Sequence, residues 1–208
     1  MKRTISKLAA IATLGLFTAS VFTHLKTTHE TGNIEQVKLY RSYDGVFLPS
    51  CHGAKIGDAI ITASHCFGKT PNPTELYIQE NGKYSKIPDV TYRGLYNGFD
   101  GYDIAISGDL NFNHVGSCYD QARFIGTEET CDLALFRKKS SRKLLSTQCY
   151  LPQGQSGTVL VDKDNKACLV YSGFYDIINN NKKHKINLGV FTPIKEINNE
   201  QITRSKTP

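Results

Sequence analysis

Apolar residues in this chain come in short runs, with polar or turn-forming residues between them. The runs are "VKLY" (37–40), "GVFL" (45–48), "AIITAS" (59–64), "ELYIQ" (75–79), "DIAIS" (103–107), "DLALF" (132–136), "TVLV" (158–161), "CLVYSGF" (168–174) and "NLGVF" (187–191). Each is shorter than an ordinary helix, and most are rich in β-branched and aromatic residues, which suit a pleated, half-buried surface. The Gly, Asn, Asp and Pro residues between them punctuate the chain as turns do. The pattern predicts an all-β fold, a sandwich or a barrel. Near the C-terminus the period changes. Thr192 is placed to cap and Pro193 to open a helix, and Ile194, Ile197 and Ile202 then share one helical face. The expectation is a run of strands closed by one short amphipathic helix. The polar stretch "NNNKKHK" (179–185) reads as an exposed loop.

The first residues break this pattern. "MKRTISKLAAIATLGLFTASVF" carries Lys2, Arg3 and Lys7, then an apolar run, then the small residues Thr18, Ala19 and Ser20. That order is the order of a secretory signal peptide, and the apolar run, about 15 residues, is short against the roughly 20 a spanning helix needs. Residues 1–23 are therefore read as a cleaved signal, and 24–36 as a polar lead to the mature chain. Export to the periplasm or out of the cell follows, with no membrane attachment afterwards. Cleavage changes the charge argument. The formal +6 of the 208-residue chain falls to +3, because the signal holds three basic residues and no acids. A charge of that size gives no support to nucleic acid as a partner.

Export also bears on the cysteines. All six, Cys51, Cys66, Cys118, Cys131, Cys149 and Cys168, follow the signal. An even number in an exported chain points to disulfides, and no C-x-x-C pair suggests zinc or redox chemistry. Spacing alone favours the neighbouring pairs 51–66, 118–131 and 149–168. The pairing of the last four stays open, since six cysteines admit about fifteen connectivities.

One apolar run ends unusually. "IITASHCF" closes on His65 beside a cysteine. A serine hydroxyl is a weak nucleophile until a histidine takes its proton, and that histidine needs a carboxylate to fix its tautomer and stabilise the imidazolium. Two backbone N–H groups must also face the developing oxyanion. Candidates for each role occur in the order His, Asp, Ser: His65 in "TASHC", Asp103 at the head of "DIAIS", and Ser156 in "PQGQSGTVLV", a Gly-rich turn running into a strand. Asp132 in "CDLALF" competes with Asp103, but only 24 positions separate it from Ser156. Asp103 leaves 53.

These motifs resemble those of the trypsin-like (chymotrypsin-fold) serine proteases, in a compact bacterial secreted form. "TASHC" is similar to that family's T-A-A-H-C, "DIAI" to D-I-A-L and "GQSGTVLV" to G-D-S-G-G-P-L-V. "CLVYSGF" resembles the strand lining the substrate cleft, and "NLGVFTPIKEI" the segment before the C-terminal helix. The resemblance implies two six-stranded antiparallel β-barrels, over residues 37–117 and 118–208, with the site between them and a helix at the end. It implies a serine endopeptidase with His65 as general base, Asp103 as its orienter and Ser156 as nucleophile. The N–H groups of Gly154 and Ser156 would form the oxyanion hole. Ser172, Gly173, Phe174 and Gly189 would line the primary pocket, and Ser172 would also be placed to bond Asp103 or His65. Cys51 would pair with Cys66 beside the histidine. No cofactor or metal is implied, and the expected partner of a monomeric enzyme is a protein or peptide substrate.

The chain departs from the family in places. Gln155 stands where trypsin has the acid that pairs with a new N-terminus on zymogen cleavage, so that activation is not expected. No acid falls at the pocket base, and Tyr171 stands where glutamate-specific relatives carry a histidine, so neither basic nor glutamyl selectivity is implied. Two other functions are weighed. An inactive protease homologue acting as a binding protein commonly lacks a catalytic residue, and none is missing here. An α/β-hydrolase needs G-x-S-x-G and the order Ser, Asp, His, whereas Thr158 breaks the first and the second is reversed.

Overall fold

The computed structural model describes residues 33–68, 74–94, 102–138, 141–179 and 184–197. The signal and most of the lead lie outside them. Fourteen strands in two antiparallel sheets make up the described fold. The first sheet holds β1 (Ile34–Tyr43), β2 (Val46–Ile56), β3 (Ala59–Thr62), β4 (Tyr77–Glu80), β5 (Lys83–Lys86), β6 (Val90–Arg93) and β7 (Ala105–Ser107), in the order β5-β4-β1-β2-β3-β7-β6. The second holds β8 (Gln121–Phe124), β9 (Thr130–Asp132), β10 (Ala134–Lys138), β11 (Ser141–Ser146), β12 (Val159–Val161), β13 (Ala167–Asn179) and β14 (His184–Pro193), in the order β10-β11-β14-β13-β12-β8-β9. The all-β expectation holds. Each sheet carries seven strands rather than six in a linear order of pairing, and β1 begins at Ile34, inside the stretch read as lead.

Local sequence explains the main hairpins. Asp44-Gly45 joins β1 to β2 and Asn81-Gly82 joins β4 to β5, with all four residues at positive φ. That is the two-residue turn whose twist matches antiparallel strands. The stretch at 179–185, read as an exposed loop, is strand where it is described: Asn179 ends β13, His184 and Lys185 begin β14, and residues 180–183 lie outside the described residues.

The apolar runs supply the cores. Ile60 and Ile61 of β3 and Ala105 and Ile106 of β7 are almost fully buried, as expected of short strands covered on both faces. One core cluster joins Leu39, Ile60, Ile104 and Ile106 of the first half to Val159, Val170, Ile194 and Ile197 of the second. A separate cluster lies within the second half, around Leu160, Leu169, Tyr171 and Phe191.

Two expectations are corrected. Strand β14 continues through Thr192 and Pro193, so Thr192 caps nothing. Its hydroxyl meets Ser172 instead, and a 3-10 turn at Ile194–Glu196 follows in place of the start of an α-helix. Ile194 and Ile197 are buried as the helical face required, while Ile202 lies outside the described residues. The disulfides are Cys51–Cys66, Cys118–Cys168 and Cys131–Cys149, not 118–131 and 149–168. Register is the reason. Ala122 faces Cys131 across β8 and β9, so Cys118 falls beyond the end of that pairing. The bridge between Val115 and Ala167 instead carries Cys118 to Cys168, and the bond from Gln148 Nε2 to Asp132 carries Cys149 to Cys131. Three disulfides and no free cysteine fit an oxidising compartment.

Candidate active site

His65 sits just past β3, in a 3-10 turn at Ser64–Phe67. The turn is held from several sides. The buried Ser64 hydroxyl donates to the Gly94 carbonyl, Arg41 Nη2 donates to the Cys66 carbonyl at 2.8 Å, and the Cys51–Cys66 disulfide ties the turn back to β2. An apolar strand ending here leaves the imidazole at the rim of the core, with its side chain 28% exposed.

Asp103 precedes β7, which pairs with β3, so the strand pairing itself brings the two residues together. The carboxylate is fully buried and receives two bonds from the same residue. His65 N–H donates to Oδ1 at 3.0 Å, and His65 Nδ1 lies 2.8 Å from Oδ2. An ionised carboxylate can only accept, so Nδ1 is the donor, and in a neutral ring Nε2 then keeps the lone pair. Asp132, the rejected alternative, is exposed on β9, where Gln121 and Gln148 bond it.

Ser156 belongs to the second half and reaches the first through its backbone. Its carbonyl accepts the His52 N–H at 2.8 Å and lies 3.8 Å from Cys66 Sγ, beside His65. Gly157 makes this approach possible. A Cβ there would come 2.0 Å from the His52 carbonyl oxygen and 2.3 Å from Thr62 Oγ1, and its φ is +87°. The turn before Ser156 runs from Pro152 to Gln155, closed by the Gln155 N–H to the Pro152 carbonyl at 3.3 Å. Gly154 is its third residue, with φ +91°, and Gln153 has negative φ. This is the type II pattern, which turns the peptide between Gln153 and Gly154 opposite to a type I turn. Among the described residues no acceptor meets the N–H of Gly154 or Ser156.

The proposed pocket residues also converge. Phe174 pairs with Gly189 across β13 and β14, and its ring packs edge-on against Tyr150 at 5.0 Å. A Cβ on Gly189 would come 2.1 Å from the Cys149 carbonyl oxygen, so only glycine lets the segment after β11 pass so close to β14. Gly173 has φ +143° at the irregularity between Tyr171 and Gly173. Ser172 is buried, with its hydroxyl 2.7 Å from Thr192 Oγ1.

Two contacts were not foreseen from the sequence. Tyr171 is fully buried and donates its hydroxyl to the Leu151 carbonyl at 2.8 Å, bracing the base of the serine turn, and burial pushes its phenol up to about 12. His52, one residue after Cys51, places Nδ1 3.0 Å from the Gly154 carbonyl. Burial lowers the His52 pKa, which favours the neutral ring. Nothing in sequence marks either contact, because their partners lie far along the chain. Ligand atoms of Cys51, His65 and Cys66 cluster within 4.8 Å, but both sulfurs are spent in a disulfide and cannot serve as thiolate ligands.

Compared with known proteins, the chain matches no family model and no curated protein.

Proposed function

We propose that this chain is an exported serine endopeptidase of the chymotrypsin type, cleaving peptide bonds through an acyl-enzyme on Ser156. The observation that carries the reading is the His65–Asp103 pair: a fully buried carboxylate takes both the backbone and the ring N–H of a partly exposed histidine. The turn that carries His65 lies against the serine turn: the Ser156 carbonyl accepts the His52 N–H and sits 3.8 Å from Cys66 Sγ.

The proposed chemistry follows from these groups. His65 Nε2 takes the Ser156 proton as Oγ attacks the scissile carbonyl. Asp103 holds the imidazolium that forms and never needs the proton itself. The carbonyl oxygen becomes an oxyanion, stabilised by the N–H groups of Gly154 and Ser156. His65 then gives its proton to the leaving amine. In the second half-reaction it activates the water that releases the acyl group. Tyr150, Phe174 and Gly189 line the proposed site for the side chain before the cleaved bond, which favours small or medium uncharged residues.

A fluorophosphonate probe tests the reading. The mature wild-type chain should be labelled at Ser156, and Ser156→Ala should abolish labelling. Peptide hydrolysis should fall by several orders of magnitude in both Ser156→Ala and His65→Ala. A wild-type protein that folds but neither labels nor cleaves would instead be a binding protein on a protease-like scaffold.

A further inference from the structure

We propose that His52 is a positioning residue for the oxyanion hole, an inference that rests on the hydrolase reading above. His52 grips the serine turn at two points on either side of Gln155. Its backbone N–H donates to the Ser156 carbonyl at 2.8 Å, and its ring Nδ1 lies 3.0 Å from the Gly154 carbonyl. A carbonyl oxygen can only accept, so Nδ1 is the protonated nitrogen in this contact. The two gripped residues are the two whose N–H groups would receive the oxyanion. His52 is in turn fixed to the element that carries His65. Its carbonyl accepts from Thr62 Oγ1 at 2.6 Å, and Thr62 ends β3, directly before the histidine turn.

The ring contact has a specific task because of the turn it holds. In a type II turn a flip of the central peptide exchanges an N–H for a carbonyl at the same place at little cost. At this turn that N–H belongs to Gly154, and glycine tolerates either sign of φ. A Cβ on Gly154 would meet nothing within 4 Å, so the space beside its Cα is open. The Nδ1 bond fixes the next peptide plane and thereby the place of the Gly154 Cα. The N–H then has one direction while the oxyanion forms. The main-chain bond at Ser156 is available to any residue at position 52. The ring bond needs a side-chain donor two bonds from Cβ.

The experiment compares His52→Asn and His52→Leu. Asparagine places Nδ2, a donor, at the position of the histidine Nδ1, and leucine places a methyl there. Three quantities are measured for wild type and both variants: Tm, kcat and KM on one peptide substrate, and affinity for a matching peptide boronic acid, whose adduct is tetrahedral. His52→Leu should lower kcat about 10- to 100-fold, within the range for losing or displacing one oxyanion donor. Boronate affinity should fall in parallel and KM should change less than threefold. His52→Asn should recover most of kcat and of boronate affinity. A merely structural role would lower Tm without splitting kcat from KM and would not be rescued selectively by a donor. Equal kcat and boronate affinity in wild type and His52→Leu overturn the proposal while leaving the hydrolase reading intact. A folded wild type that neither cleaves nor binds boronate overturns both.

Discussion

Three side chains would carry the proposed reaction, and a few neighbours decide how well. Asp103 accepts two bonds from His65 and is sealed from solvent, so Asp103→Asn would keep the shape and lose the charge. Asparagine would hold the wrong imidazole tautomer, and kcat is expected to fall about 10⁴-fold with little change in Tm. A loss below tenfold would remove Asp103 from the mechanism. The pocket allows a second expectation. Phe174 is 40% exposed, and its ring leans on Tyr150 opposite Gly189, so it would narrow the proposed pocket. Phe174→Gly should raise the kcat/KM ratio of Phe over Ala before the cleaved bond by about tenfold, the order expected for a pocket reshaped by a few methylenes. An unchanged ratio would place Phe174 outside the pocket. The candidates His65, Asp103 and Ser156 could be named from the sequence because each borders an apolar run: His65 ends one, Asp103 heads one and Ser156 sits in the Gly-rich turn before one. His52 could not, because its partner Gly154 is 102 positions away and only folding brings the two together.

At the scale of elements the serine turn is held from below as well as from the side. Tyr171 on β13 exchanges backbone bonds with Gly157 and Thr158 and sends its hydroxyl to Leu151. Tyr171→Phe should cost about 1 kcal/mol, the worth of an ordinary buried hydrogen bond. The phenol also predicts an alkaline effect. Folding raises its pKa from about 10 to about 12, so the folded state holds the proton more tightly than the unfolded chain. Its stabilising contribution is constant below about pH 10 and is lost as pH rises towards 12. Thermal melts at pH 8 and pH 11 should therefore differ less for Tyr171→Phe than for wild type, and an equal difference would show that the phenol does not titrate with folding. The strands themselves were readable, because short β-branched runs between turn residues admit few other structures. The disulfide pairs were not. Spacing is one-dimensional, while pairing follows the register of β8 against β9 and the bridge from Val115 to Ala167. The closing helix failed for a related reason. Thr192 and Pro193 are good openers of a helix, but pairing of β14 with β13 extends through both of them.

For the whole molecule the decisive fact is that the proposed site spans a seam with no disulfide across it. Cys51–Cys66 lies within the first half, and Cys118–Cys168 and Cys131–Cys149 lie within the second. Besides the chain itself, the halves are joined by packing and by hydrogen bonds that include those from His52 to Ser156 and Gly154 and from Gly116 to Ala167. The 3-10 turn after β14 supplies Ile194 and Ile197, both buried in the cluster that contains Leu39, Ile60 and Ile104 from the first half. The end of the described chain thus acts as a plug in the other half's core. Ile194→Ala should remove several methylenes from a fully buried position and cost about 2–5 kcal/mol. The same cluster belongs to both halves, so that loss should appear as one lowered transition rather than two. The chain has no Trp and eleven Tyr, so near-UV circular dichroism of the tyrosines follows the melt, and residual hydrolysis is assayed at the same temperatures. Hydrolysis should disappear along the same curve as the tyrosine signal, because the proposed chemistry needs His65 from one half and Ser156 from the other. An Ile194→Ala protein whose hydrolysis is lost well below its tyrosine transition would mean that the halves separate before either unfolds, and that the seam is held by something other than this shared core.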